Sequence, residues 1–432
     1  MKIFRTNRTS PNAWLRHLRW SDLPAVVQLA TQTTSGVIGI TEGVHQSVRK
    51  TLGLSPGADA GRTGGLTGQI YKGVRGSTQL IGHGLAGMLA GVIPKSQDTP
   101  GHPAPSTPER DIVVSALNGV LGDHLAASGN PLALPMALRY QGKSLPSGDA
   151  AALRLALAGA TPKLLLLVHG LCMNAAQWTR GGHDHGAFLA RELGFTPIYL
   201  RYNSGLHTSV NGRELACMLE QLLDAWPVPL ADMCVIGHSM GGLVARSAYL
   251  YGSQAGHRWV GQLRSLVFLG TPHHGAPLER AGHGVDVLLG RIPYTAPFTK
   301  LARVRSAGIT DLRHGHVQDA DWQGRDHFHS AKDHRVPSPL PPGVACYAVA
   351  AALAGQHGML ADRLAGDGLV PLRSGLGEHA ETKHQLAFAP ENRWIAWRTG
   401  HLALLSSPAV AAQLLQWLGP RTPPMAEATG GG

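Results

Sequence analysis

The sequence predicts an α/β fold on a mostly parallel sheet, with a cap insertion and a helical N-terminal extension. Three observations lead there. From residue 163 onward short apolar runs alternate with helical stretches, the pattern from which parallel sheets are built. A Gly-x-Ser-x-Gly pentapeptide, Gly237-His238-Ser239-Met240-Gly241, stands between one such run and a helical stretch. Asp367, held between two glycines, and His401 then follow Ser239 in chain order.

Residues 1–95 mix small residues, isolated apolar positions and many glycines, and are read as a helical extension. Within them 25–50 is weakly amphipathic, and 73–93 carries Gly84, Gly87 and Gly91 among Leu and Ile, a spacing that lets helices approach closely. The apolar run Leu80–Ile93 is too short to span a bilayer. Two readings stay open: an appendage that packs on the core or dimerises, and an interfacial helix pair that brings a basic chain to anionic lipid or a storage granule. Residues 96–108 (SQDTPGHPAPSTP) form a Pro-rich linker.

The main domain is expected over 109–420. Its first part, to about 160, reads as helices around a Pro- and Gly-broken middle. The strands are Lys163–Val168, Pro197–Tyr202, Met233–Ile236, Ser265–Leu269 and Cys346–Ala350, continuous apolar runs suited to a sheet covered on both faces. Between them, 211–225 places Leu215, Met218, Leu219, Leu222 and Leu223 at helical spacing, as an amphipathic crossover needs. Residues 280–343 are Gly-, His- and Pro-rich and too long for an ordinary connection, which makes them a cap or lid over the site. NRWIAWRT (392–399) is strand-like, 407–418 is a final amphipathic helix, and 421–432 is a flexible tail.

A chain of 432 residues exceeds one typical domain, and 43% hydrophobic with 15% charged residues suits a packed core. The net charge of +11 favours anionic surfaces. Its basic residues are scattered, with no zinc-finger, RNP-like or basic-zipper pattern, so nucleic acid is not an expected partner. Cys172, Cys217, Cys234 and Cys346 form no CxxC pair, which argues against a zinc ribbon or redox dithiol; Cys217 and Cys234 read as small buried hydrophobes. The basic N-terminus lacks the apolar core of a signal peptide, and a cytoplasmic location is expected, with peripheral membrane contact as the variant.

The chemistry is carried by Ser239. A serine between a strand and a helix sits on a sharp, strained turn, where flanking glycines avoid collision with neighbouring backbone and Oγ is raised into the pocket. The helix that follows turns its N-terminal amides toward the same point, where negative charge develops in acyl transfer. A bland reading exists, a Gly-rich turn with Ser239 as helix cap, but the partner residues follow in order. The first core strand ends in His169-Gly170-Leu171, and the backbone amides of Leu171 and Met240 are the expected oxyanion donors. His169 and His238 are read as structural.

Asp367 follows a late strand in Gly366-Asp367-Gly368 and would orient the base and stabilise its protonated form; Asp362, in a helix-like run, is its nearest rival. His401, after the tryptophan-rich segment and before the last helix, is the expected base, with His379 and His384 as rivals. The order Ser239, Asp367, His401 is then that of a hydrolase triad.

Together these residues resemble the α/β-hydrolase superfamily. The segments GHSMGG, LGTPHHGAP, GDGLVPLRS and GHLALLSSP resemble the branch of bacterial triacylglycerol lipases and GPI inositol-deacylase-like proteins, over about 163–418. The resemblance implies hydrolysis of a carboxylic ester, lipid esters among them, without an organic cofactor. It also implies that Thr271-Pro272-His273-His274-Gly275 lies near the pocket. No acidic pair supports the calcium that some lipases of this branch hold. The 95 residues before the linker have no counterpart in small lipases, which favours an intracellular esterase.

Histidines gather in the insertion, at His314 and His316, His327 and His329, and His334. Pairs two apart share a face of a strand and suit zinc, yet no carboxylate or cysteine completes a set, so they are read as incidental surface histidines and no metal is expected. Acyl transfer on the same triad, and a non-catalytic scaffold binding lipid or protein through 1–95, remain the rival functions.

Overall fold

The computed structural model describes residues 19, 22, 25–29, 107–276, 306–324, 333–356 and 366–420. Most of the N-terminal extension and linker, much of the insertion with His327 and His329, the rival acid Asp362, and the 421–432 tail lie outside the described residues.

The chain divides into two compact units, one of 1–114 with 124–133 and one of 115–123 with 134–432. Helix α1 (Pro108–Ala127) starts at Thr107, whose side chain accepts from the Arg110 amide, with proline in its first turn where no amide bond is lost. In the first unit the Arg110 guanidinium grips Asp22 at two points, Nη2–Oδ1 2.6 Å and Nε–Oδ2 2.8 Å, and Asn130 Nδ2 donates to the Ala25 carbonyl at 3.0 Å.

The second unit is built on a sheet. Its strands are β1 (Ala137–Tyr140), β2 (Lys143–Ser144), β3 (Lys163–Val168), β4 (Thr196–Arg201), β5 (Asp232–His238), β6 (Leu263–Leu269), β7 (Ala345–Ala352) and β8 (Arg393–Trp397), in the order β2-β1-β4-β3-β5-β6-β7-β8. From β4 to β8 all neighbours are parallel; β1 pairs antiparallel with β4 and with β2. Each expected strand is present within a few residues. The β1–β2 hairpin was not expected: its strands are short, and Gln141-Gly142 turns with both residues in the left-handed region.

The central strands are apolar throughout because helices cover both faces. Leu165, Leu166, Leu167 and Val168 of β3 and Ile236 of β5 are fully buried. The helices are α2 (Ala150–Ala156), α3 (His185–Leu193), α4 (Thr208–Ala225), α5 (Met240–Gln254), α6 (Ala307–His314), α7 (Leu372–Gly375) and α8 (Pro408–Leu418). Helix α4 buries Leu215, Leu219 and Leu222, the stripe its periodicity predicts. That register corrects one reading: Cys217 lies on the outer face and is exposed, whereas Cys234 in β5 is buried as expected.

Within the insertion, α6 is tied to the start of α4 through Asp311. This fully buried carboxylate accepts from the Thr208 amide at 2.7 Å and lies 3.1 Å from His207 Nδ1 and 3.0 Å from His316 Nδ1. His316 is therefore a buried anchor and not the incidental surface histidine expected; His334 is exposed. Among the described residues no helix is long and apolar enough to cross a membrane, and no cluster of His, Cys, Asp and Glu is arranged to hold a metal.

Candidate active site

The parallel strands deliver their C-terminal ends to one edge, where ligands bind in open α/β sheets. Strand β5 runs into α5 through Ser239, whose φ of 55° and ψ of −124° lie in a region that L-residues rarely adopt. Neighbouring hydrogen bonds hold the strain: the Ser239 amide donates to the Leu269 carbonyl at 2.8 Å, and the Gly242 amide to the Ser239 carbonyl at 3.1 Å. Glycine is needed on both sides. A Cβ on Gly237 would sit 2.5 Å from the Gly242 backbone, and one on Gly241 2.1 Å from the Val168 carbonyl oxygen. Ser239 caps α5 in position only, with no capping bond from its side chain, so the hydroxyl is not spent on the helix.

This domain has the α/β-hydrolase fold. Residues 161–336 match the family model described as the PGAP1-like alpha/beta domain, a span that includes Ser239 and ends before Asp367. Solved structures similar to this chain include the Pyrococcus furiosus esterase Pf2001 (15% identity, 59% of this chain and 78% of that chain, TM-score 0.33). A lipase-esterase related protein from Clostridium acetobutylicum aligns at 15% identity over 59% of this chain and 92% of that chain, TM-score 0.31. Aspergillus fumigatus lipase B aligns at 12% identity over 94% of this chain and 83% of that chain, TM-score 0.35. No curated protein matches the sequence.

The late strands β7 and β8 bring Asp367 and His401 to the same edge of the sheet. Asp367, buried between Gly366 (φ 74°) and Gly368 (φ 92°), accepts the Leu369 and Val370 amides on Oδ1 at 2.9 and 2.8 Å. Its Oδ2 is 2.7 Å from Nδ1 of His401, itself 1% exposed in the turn His401–Leu405. A carboxylate can only accept, so Nδ1 carries the proton and Nε2 presents its lone pair.

The residue before the serine joins it to this pair. The His238 ring centroid is 4.8 Å from that of His401, and His238 Nε2 is 3.2 Å from the His401 carbonyl oxygen. Burial, followed by the charge of His401, keeps His238 neutral to well below the usual histidine range. His238 therefore packs within the elbow, as expected.

The turn after β3 packs against the same elbow. A Cβ on Gly170 would approach the Ser239 Cβ to 3.0 Å. Among the described residues neither the Leu171 nor the Met240 amide takes part in a backbone hydrogen bond outside the helices and strands. His169 is structural: it is fully buried, stacks 4.4 Å from Tyr202, and burial pushes its pKa down to about 4. The Tyr202 hydroxyl donates to the His169 carbonyl at 2.7 Å, and Ser204 Oγ accepts from the Cys172 amide at 3.0 Å, with Cys172 at φ 61°.

These supporting residues were missed in the sequence. Tyr202-Asn203-Ser204-Gly205 is a polar cluster just past the end of an apolar strand, and that position was the available signal. The small residues of α1 were a second signal. Gly119 lies directly behind the loop, where a Cβ would come within 2.3 Å of Cys172 Sγ.

The rival bases lie elsewhere. His379 Nε2 is 3.2 Å from Asp333, while His384 is buried with its Nε2 4.0 Å from the same carboxylate.

Proposed function

We propose that the chain is a serine hydrolase that cleaves carboxylic esters through an acyl-enzyme on Ser239, with His401 as base and Asp367 as its orienting acid. The observation that carries the proposal is a buried serine at a strained strand-to-helix turn, whose preceding residue His238 packs its ring 4.8 Å from that of a histidine fixed through Nδ1 on a carboxylate at 2.7 Å.

In this reading the Ser239 Oγ proton passes to His401 Nε2 as Oγ bonds to the ester carbonyl carbon. The carbonyl oxygen becomes an oxyanion held by the Leu171 and Met240 amides; loss of one such donor in related chemistry costs about 3 to 4 kcal/mol. The C–O bond to the alcohol then breaks as His401 returns its proton to the leaving oxygen. Water, deprotonated by the same imidazole, attacks the acyl carbon and releases the acid and the free serine. Lipid esters are the finer substrate class that the sequence resemblance implies.

The test is labelling with a fluorophosphonate, beside hydrolysis of p-nitrophenyl esters of rising chain length, for the wild type and Ser239→Ala. Labelling and turnover in the wild type, both lost in the variant, are expected. A rate that rises with chain length supports lipid esters, and transfer of the acyl group to an added alcohol in preference to water replaces hydrolysis with acyl transfer. A folded wild type that neither labels nor turns over overturns the proposal and leaves a scaffold.

A further inference from the structure

Beneath the Thr271–Gly275 loop, away from the residues assigned to catalysis, a second polar centre has no role in the proposed hydrolysis. Arg246 on α5 is only 6% exposed, and among the described residues no carboxylate lies within ion-pair distance of it. Its Nη2 donates to the Ser338 carbonyl at 2.6 Å and its Nη1 lies 3.5 Å from His273 Nδ1, while its Nε–H has no partner. His273 is fully buried, packed edge-on against Phe268 with ring centroids 4.6 Å apart.

The protonation of His273 follows from its neighbour. A guanidinium only donates, so His273 Nδ1 is the acceptor and its Nε2 carries the hydrogen. That Nε2 too has no partner. Both Arg246 and His273 line a cavity of about 20 Å³, together with His274, Asp321, Arg335 and His384.

The surrounding charges are already engaged. Arg335 is committed to Asp333 and to the His273 and Gly315 carbonyls. The Asp321 carboxylate takes the Val317 and Gln318 amides on Oδ2 and the Val336 amide on Oδ1. Burial holds His273 neutral, and burial with the like charge of Arg335 lowers the Arg246 pKa to about 10 against the opposing charge of Asp321. Among the described residues no carboxylate touches the guanidinium, and its Nε–H and the His273 Nε2–H are left as buried donors without an acceptor.

We propose that this cavity binds a single-atom anion, a halide such as chloride, held by Arg246 Nε–H and His273 Nε2–H. Its volume suits a guest the size of one water molecule and excludes phosphate or a carboxylic acid. An acceptor-only guest matches two donors with nothing to accept them, and its charge offsets the guanidinium. The site joins α5, the Thr271–Gly275 loop and the 333–338 strap of the insertion, so halide occupancy stabilises this side of the domain.

The experiment uses the full chain. Thermal unfolding is followed against sodium chloride, bromide and gluconate at constant ionic strength, and crystals grown in bromide are measured at the bromine absorption edge. The expected result is a saturable rise in Tm for chloride and bromide but not gluconate, roughly 2–4 °C per tenfold halide above its dissociation constant. An anomalous peak between Arg246 Nε and His273 Nε2 is expected with it, and Arg246→Met removes the halide-specific rise. Equal Tm in the three salts with no anomalous peak, the cavity holding water, overturns the proposal. Should Arg246→Met fail to fold, the wild-type bromide map decides alone.

Discussion

At the scale of single residues, the candidate site rests on groups whose freedom is removed by the hydrogen bonds around them. Asp367 spends one oxygen on the Leu369 and Val370 amides and the other on His401, which fixes the imidazole with its hydrogen on Nδ1, the tautomer the proposed function requires. Asp367→Asn preserves the shape but turns a donor toward Nδ1, so the ring must present the wrong nitrogen to the serine. Under the proposed function kcat falls by about 10⁴-fold while labelling by a fluorophosphonate slows and the fold persists; stopped-flow labelling and circular dichroism check this together. These residues were legible because each sits in a short local pattern, a serine among glycines, an acid between glycines, and because their chain order restricts the choice among 23 histidines. Arg246 was not legible. In LVARSAYLYG it reads as the solvated position of an amphipathic helix, and only the packing of the 333–338 strap against α5 makes it buried.

At the scale of elements, Asp311 shows how a described part of the insertion is anchored. It closes the start of α4 by taking the Thr208 amide, and it binds His207 and His316 in the same buried space. The histidines draw its pKa down against the opposing effect of burial. Asp311→Asn places an amide group among these donors. The expected cost is about 3 kcal/mol, seen as a lower urea midpoint, with faster proteolytic cleavage within 306–324. Unchanged stability and cleavage would mean that α6 is held by apolar packing alone. The sequence could not foresee this anchor, because His314 and His316 look alike in a Gly- and His-rich stretch; the left-handed Gly315 that ends α6 separates them, burying one more deeply than the other. The β1–β2 hairpin escaped notice for a different reason. Strands of four and two residues, paired antiparallel at an edge, have too few alternations to outweigh a Pro- and Gly-rich setting.

At the scale of the whole molecule, several histidines are folded into the core as neutral rings. Burial pushes His169 and His185 down to about 4, each only partly offset by a bond to a backbone carbonyl, Gly170 for the first and Leu404 for the second. In the unfolded chain the same rings bind protons near pH 6.5. The folded state thus holds fewer protons between these values. Stability is complete above about pH 6.5 and is lost as pH falls toward 4, by up to roughly 3 kcal/mol for each ring. Urea midpoints measured from pH 8 to pH 4 should drop across that window, with a shallower drop in His185→Gln, which keeps a polar group near Leu404 without a proton to gain. A midpoint that stays level to pH 4.5 contradicts the assignment.

The fold class, the chain order of the motif-bearing segments and the candidates Ser239, Asp367 and His401 were legible from local pattern, because apolar period and glycine at forbidden backbone angles act over a few residues. What tertiary structure alone decided is how distant residues meet: Gly119 behind Cys172, Ser204 on the Cys172 amide, Asp311 between His207 and His316, and Arg246 against Ser338. Burial and bonding partners at those places depend on residues far apart in the chain, and no periodicity records such a contact. The same reason accounts for Cys217, whose apolar neighbours in sequence lie on the other side of its helix.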